Sequence, residues 1–375
     1  MAAEPAIPTT QIRVASPNGP VTRTILQTPL RDALASEIPV IDVSAIFGSS
    51  LADRQNVARQ VNHAATNIGF FYIKNHGIDP SAIDATYQAA LSFYRQDLDK
   101  KLEATMTQSS HYNGYRAPDT QRLNPEEGID VRESFSVSYD PRDDPQVSSL
   151  QDIPPGAMQH LGIEHHHFSK TQHVPGFRQA VKAYFAACLS LARALTRTFA
   201  LSLALPETAL DGKVAYPNAT LNMNYYPPIP SSARLPLAPT DFDATRVSIG
   251  SHTDFQFFTI LWQDMVGGLQ VLNRDGQWIK AKPIPGTLIV NIADLLQRIT
   301  NDRYVSTIHR AQNWSGKERI SLAFFWGFGL HETCGVLDSC VAEGQEKKYP
   351  EVRCLDWLRK RVNDMTEVER ESKGP

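Results

Sequence analysis

The chain is poor in cysteine, has no long apolar run and carries no excess of one charge. Four cysteines occur in 375 residues, Cys188, Cys334, Cys340 and Cys354, with no Cys-x-x-Cys pair. Scattered in this way they fit a reduced intracellular chain better than a disulfide framework. Cys334 and Cys340 are read as loop and core thiols rather than metal ligands. No stretch approaches the roughly 20 apolar residues that cross a bilayer. The N-terminal region is polar and proline-bearing, without the apolar core of a secretory signal. The expectation is therefore a cytoplasmic protein with no membrane partner. With 37 basic against 40 acidic residues, nothing calls for a nucleic-acid partner. There is no internal repeat and no low-complexity tract. The length suits one large domain or two intimately packed ones. A small-molecule substrate and a monomer or weak homo-oligomer are expected.

Periodicity divides the chain. Residues 1–37 have none, and an arm lying on the rest or partly disordered is expected. Residues 38–206 read as a mixed, mainly helical region. Ile38–Val43 is a first strand-like run. Leu51–Asn67 reads as a helix with Val57, Val61, Ala64, Ala65 and Ile68 on one face, stopped by Gly69. Phe70–Lys74 is a strand, and Asp79-Pro80 caps a further helix that turns Ile83, Tyr87, Ala90, Phe93 and Tyr94 inward. Residues 107–173 are polar and resist assignment. Their His165-His166-His167 run is read as solvated, because three consecutive residues cannot all face one point on a regular element. Pro175–Leu205 reads as a long amphipathic helix ended by Pro206. Residues 207–330 then become short β-rich runs with frequent turns, which suggests a sandwich or barrel. A loop and a helix around Leu355, Trp357, Leu358 and Val362 fill 331–375.

Chemistry concentrates in the β-rich part. Ser251–Leu261 reads as a buried strand with a histidine and a carboxylate in its first half. On an extended chain His252 and Asp254 share a face. One more imidazole completes a two-His, one-carboxylate set, the arrangement that suits non-haem Fe(II) and leaves positions open. His309, in the strand-like run Tyr304–Arg310, supplies it. Arg319 and Ser321 share a face of the apolar run Arg319–Phe325 with Ala323 and Phe325. A buried guanidinium is costly unless paired. It is either salt-bridged to an internal acid or placed to clamp a ligand carboxylate.

These residues carry a resemblance. His252-Thr253-Asp254, His309 and Arg319-Ile320-Ser321 resemble the HxD…H…RxS signature of the iron(II)/2-oxoglutarate-dependent dioxygenases, in the branch that contains isopenicillin N synthase. Asn224-Tyr225-Tyr226-Pro227-Pro228, Gly267–Val271, Asp275–Trp278 and Asn291–Asp294 follow the order of that branch. So do Ile38–Asp42, Gly69–Phe71 and Asn75–Gly77, so the likeness runs from about residue 38 to 330. It implies an α+β chain whose C-terminal core, 207–330, is a distorted double-stranded β-helix, or jelly roll, flanked by helices. It implies Fe(II) on His252, Asp254 and His309. It also implies 2-oxoglutarate held by Arg319 and Ser321, with Tyr226 and Asn224 helping, and dioxygen as the oxidant. The implied reaction is oxidation of a C–H bond of a small molecule, in secondary metabolism, by hydroxylation, desaturation or ring formation or expansion.

An apolar wall of Phe257, Phe258, Phe324 and Phe325 is expected to keep water out, although ordinary core packing accounts for at least half of these rings. Phe325 is the candidate to face substrate. Gln256 stands where a small residue is usual, so its amide either orients substrate or bonds a strand edge. The segment between Tyr226 and His252 is roughly ten residues longer than the resemblance leads one to expect, and is either a lid or an inert insertion. Ala293 replaces a common glycine, without expected consequence. Two alternatives remain. One is an oxidase like isopenicillin N synthase that uses no 2-oxoglutarate, which the Asn224-Tyr225-Tyr226 motif disfavours. The other is a non-catalytic jelly-roll binding protein, which the complete triad and clamp disfavour.

Overall fold

The computed structural model describes residues 7–16, 19–124, 126–228, 246–313 and 315–372. The first strands are β1 (Thr9–Val14), β2 (Val21–Leu26), β3 (Arg31–Asp32), β4 (Val40–Asp42), β5 (Phe70–Lys74), β6 (Gly114–Arg116), β7 (Ile129–Asp130) and β8 (Glu133–Ser138). Then follow β9 (Asn218–Tyr226), β10 (Arg246–Val247), β11 (Ile249–His252), β12 (Phe258–Gln263), β13 (Leu269–Leu272) and β14 (Trp278–Lys280). The last are β15 (Thr287–Ile292), β16 (His309–Ala311), β17 (Arg319–Gly327), β18 (Thr333–Cys334) and β19 (Val352–Arg353). The helices are α1 (Leu51–Asn67), α2 (Pro80–Tyr94), α3 (Leu98–Leu102), α4 (Pro155–Met158), α5 (His166–Ser169), α6 (Phe177–Ser202), α7 (Asp294–Ile299) and α8 (Cys354–Ser372).

Two sheets dominate, in an α+β jelly-roll arrangement. The larger has eight strands in the order β4-β5-β15-β12-β17-β9-β8-β6, and the smaller has five in the order β11-β16-β13-β14-β3. Period-2 alternation assigns the two faces of the large sheet. Phe71, Ile73, Leu288, Val290, Ile260, Leu322, Phe324, Leu221, Met223 and Phe135 form one core with α1, α2 and α6. The residues between them face the small sheet. At one end these are apolar: Phe70, Tyr72 and Ile289 pack on Leu269, Val271 and Ile279. At the other end they are polar, and there the sheets part around a cavity. Each fully buried aliphatic or aromatic side chain contributes about 1.5–3 kcal/mol, so both packed faces hold the cavity walls rigid.

The helices begin where capping chemistry allows. Ser50 accepts from Asp53 N at the start of α1, and Asp79 accepts from Ser81 N at the start of α2. The long helix is shorter than its periodicity suggests. Gly176, at φ 72°, precedes it, and Ala204, at φ 58°, turns the chain before Pro206 is reached.

Of the two expectations for the N-terminal arm, lying on the rest of the chain holds for its described residues: β1 and β2 form a hairpin whose Ile12, Val14 and Ile25 pack on Leu272, Trp278 and Ile308. Three further expectations change. The unassigned stretch contains β6 and β8, which complete the edge of the large sheet. The histidine run is not wholly solvated, since His167 is buried beside Phe168 and near Phe135. Tyr304–Ile308 is irregular, and the strand begins only at His309. The longer segment before His252 falls mostly at 229–245, outside the described residues.

Candidate active site

Ser251–Leu261 is not one strand. β11 ends at His252 in the small sheet, and β12 begins at Phe258 in the large one. Asp254 lies in the crossover between them, so strand parity is not what brings it to His252. The crossover is held from behind by the start of α7: Asp294 N donates to Asp254 O at 2.9 Å, and Leu295 N to Gln256 O at 3.0 Å. Thr253 Oγ1 adds a bond to Asp294 Oδ2 at 3.1 Å.

Strand register brings in His309. β11 and β16 are antiparallel with His252 opposite His309, and the two rings are 4.3 Å apart, centre to centre. One donor atom from each of His252, Asp254 and His309 lies within 4.8 Å of the others. Among the described residues this is the one such group of three. Both imidazoles are oriented by backbone: His252 Nδ1 meets Gly250 O at 2.8 Å, and His309 Nδ1 meets Thr307 O at 3.0 Å. A carbonyl only accepts, so each Nδ1 carries a proton and Nε2 is the ring nitrogen turned toward the site. Those Nε2 atoms face Asp254 Oδ1 at 3.5 and 3.8 Å. The other carboxylate oxygen, Oδ2, accepts from Thr259 Oγ1 at 2.6 Å and Asn291 Nδ2 at 2.7 Å. Such outer partners fix ligand orientation in metal sites. Burial lowers the His309 pKa to about 4, so the ring stays neutral. Burial alone would raise that of Asp254. The neighbouring imidazoles and the Thr259 hydroxyl outweigh it and hold the carboxyl below its ordinary range.

The same cavity holds Arg319. It opens β17 opposite Tyr226, and its guanidinium lies 4.4 Å from the centre of the Tyr226 ring. Nη2 donates to Gln263 Oε1 at 3.3 Å, while Nε and Nη1 are buried with no hydrogen-bond partner. No ion pair to Arg319 occurs among the described residues. The nearby carboxylate, Asp264, is engaged by Ile320 N at 2.6 Å instead. Two orphaned donors on a buried cation are what a carboxylate ligand would satisfy. Ser321 Oγ lies 3.5 Å from both Asn224 Nδ2 and Tyr226 Oη. The residues therefore fit both groups: two imidazoles and a carboxylate for a divalent iron, and a buried, half-satisfied guanidinium for a carboxylate cosubstrate.

The cavity has a volume of about 770 Å³, within the usual range for small-molecule sites. Phe325 lines it, whereas Phe257, Phe258 and Phe324 turn the other way into the helix-facing core. Gln256 lines it too, but its amide donates to Asn218 O at 2.9 Å, the strand-edge bond.

Sequence reasoning missed several walls. Ser134, Ser136 and Ser138 of β8, and Leu355, Leu358 and Val362 of α8, reach the cavity. The alternation in Glu133–Ser138 was the available signal for β8. Asn224 has a neighbour that no motif announced: Arg132 Nη1 donates to its Oδ1. That bond turns the Asn224 amide nitrogen toward Ser321.

Comparison with known proteins shows what the chain is similar to. Residues 217–327 match the family described as the 2OG-Fe(II) oxygenase superfamily. Residues 38–155 match the N-terminal region described as non-haem dioxygenase in morphine synthesis. A 2-oxoglutarate-Fe(II) type oxidoreductase of Metarhizium majus, ppzC, is 58% identical over 360 residues, 96% of each chain. Another such oxidoreductase, hxnY of Emericella nidulans, is 30% identical over 86% of this chain and 88% of its own. Among solved structures, a full-length Neurospora crassa protein in complex with alpha-KG superposes with a TM-score of 0.73 at 24% identity, over 90% of this chain and all of that one. The complex of the same Neurospora protein with alpha-KG and 5-formyluracil gives 0.69 at 26% identity, over 87% and 95%.

Proposed function

Because the chain belongs to the 2OG-Fe(II) oxygenase superfamily, we propose that His252, Asp254 and His309 hold its Fe(II). On the same premise Arg319 and Ser321 take the far carboxylate of 2-oxoglutarate. The enzyme itself is an Fe(II)- and 2-oxoglutarate-dependent oxygenase. When bound, the iron supplies the redox chemistry with dioxygen that converts 2-oxoglutarate to succinate and CO2 and oxidises a substrate C–H bond.

The chain's own residues do the rest. Gly250 O and Thr307 O keep the two imidazoles in the tautomer that offers Nε2. Thr259 and Asn291 hold one oxygen of Asp254 so that the other faces the histidines. Tyr226 covers one face of the Arg319 guanidinium, and its hydroxyl and the Asn224 amide flank Ser321. Phe325 supplies an apolar surface beside the reacting region, with Gln256 at the edge of the same wall. The working core is residues 207–330, with 38–206 and 331–375 adding β8 and α8 to the walls. A cavity of this size suits a small molecule and requires no macromolecular partner.

The observation that carries the reading is the pair of orphaned donors on Arg319, in one cavity with the His252, Asp254, His309 cluster. It disfavours a degenerate binding protein, while the Asn224-Tyr225-Tyr226 motif is what disfavours an oxidase that does without 2-oxoglutarate. The test is a visible charge-transfer band when Fe(II) and 2-oxoglutarate are added without oxygen. The band is expected in the wild-type protein and lost in His309→Ala. A folded, iron-loaded sample that shows no band overturns the assignment.

A further inference from the structure

The described residues lining the cavity include five arginines, Arg116, Arg132, Arg310, Arg319 and Arg359, but one carboxylate, Asp254. The whole chain has a formal charge of −3, so this cationic lining is local. Most of these charges are accounted for. Arg319 is taken by the cosubstrate in the reading above. Arg310 feels the buried carboxylate of Glu127. Arg132 Nε lies 3.8 Å from Asp130 Oδ2, and Arg359 is exposed on α8.

Arg116 is the exception. It is half-buried, and its Nε donates only to the Met106 sulfur, at 3.0 Å, a weak acceptor. It forms no ion pair with any described residue. Burial first, then the like charge of Arg132, depress its pKa, and the carboxylate of Asp130 only partly opposes them. An anion bound at the cavity end of Arg116 adds to that opposition.

Register separates Arg116 from the cosubstrate clamp, which Arg132 touches through Asn224. Arg116 pairs with Ser134, Ser134 with Asn224, and Asn224 with Ser321. Three strand intervals, about 14 Å along the sheet, lie between Arg116 and Ser321. Thr259, which holds Asp254, is on β12, a fourth interval away.

We propose that Arg116, with Arg132 beside it, binds a carboxylate of the substrate, so that the enzyme oxidises a small carboxylic acid at a carbon several bonds from the acid group. The planar guanidinium matches a carboxylate bidentately, and the strand count sets the distance from the reacting carbon. This rests on the metal and cosubstrate assignment above, and the experiment separates the two.

The holoenzyme with Fe(II) and 2-oxoglutarate, kept anaerobic, is titrated with linear monocarboxylates from acetate to octanoate and with their primary amides. Calorimetry reads binding, and the visible band reads the iron–cosubstrate complex. At the best chain length the acid is expected to bind at least about tenfold tighter than its amide, roughly the difference that one charge-assisted contact makes. Arg116→Gln is expected to shrink that ratio to within about twofold with the band unchanged, and Arg116→Lys to keep part of it. A wild-type panel in which no acid binds better than its amide overturns the proposal. So does an acid preference that survives in Arg116→Gln. A missing band in the wild type overturns the metal and cosubstrate reading instead, while calorimetry still decides the acid preference.

Discussion

Thr259 Oγ1 donates to Asp254 Oδ2 at 2.6 Å, across the break between the two sheets. Asp254 stands in the crossover that leaves the small sheet, and Thr259 is the second residue of β12 in the large one. The large sheet thus grips the carboxylate by the oxygen that the histidines do not face. The small sheet supplies both imidazoles.

Thr259→Val removes this grip with little change in shape. Fe(II) affinity is expected to fall about 10- to 100-fold, the usual effect of losing an outer partner of a metal ligand. Fe(II) titration followed by the visible band measures it. Wild-type affinity in the variant refutes the orienting role.

Arg319→Gln removes the guanidinium whose Nε and Nη1 have no protein partner. Truncating one member of a buried charged contact costs about 2 kcal/mol or more. The KM for 2-oxoglutarate is therefore expected to rise about 30-fold or more, with Fe(II) affinity little changed. If binding of the oxidised substrate suffers and that of 2-oxoglutarate does not, the clamp assignment fails.

Arg361 and Asp294 form a fully buried ion pair at 2.7 Å, which ties α8 to the start of α7. Breaking such a pair leaves an uncompensated charge, so Arg361→Met is expected to lose roughly 3–5 kcal/mol of stability. Arg361→Met with Asp294→Leu should recover much of it. Denaturant midpoints at constant slope test both. A loss below about 1 kcal/mol in the single variant shows that the pair does not hold α8.

His167 is buried with neither ring nitrogen hydrogen-bonded, and burial lowers its pKa to about 4. The unfolded chain titrates near 6.5, so between those values the unfolded state binds the extra proton. Stability is full above pH 6.5 and falls as pH drops toward 4, by at most about 3 kcal/mol from this residue. His167→Leu should stay within about 1 kcal/mol of wild type at pH 7 and exceed it at pH 5. Parallel losses in both proteins between pH 7 and 5 would count against this residue as the cause.

The donor types were legible in the sequence. Two histidines, an aspartate, and an arginine and serine spaced to share a strand face carry their chemistry wherever they fold. Most elements were legible too, because α1, α2 and β17 show their own periodicity. The break after His252 was not. An apolar run reads as one strand until something else claims its second half. Here β15 and β17 pair with Phe258–Gln263 and pull it into the other sheet. β8 was overlooked because its exposed-looking serines line a cavity rather than solvent.

By itself, then, the sequence determined which ligating atoms exist, and its resemblance to the iron(II)/2-oxoglutarate-dependent dioxygenases implied the reaction class. Tertiary structure decided how those atoms meet. His252 faces His309 through strand register, Asp254 arrives by leaving its strand, and Arg116 joins the cavity because β6 extends the sheet that carries Ser321. Pairing between distant segments depends on the total packing of both faces. No local pattern encodes it.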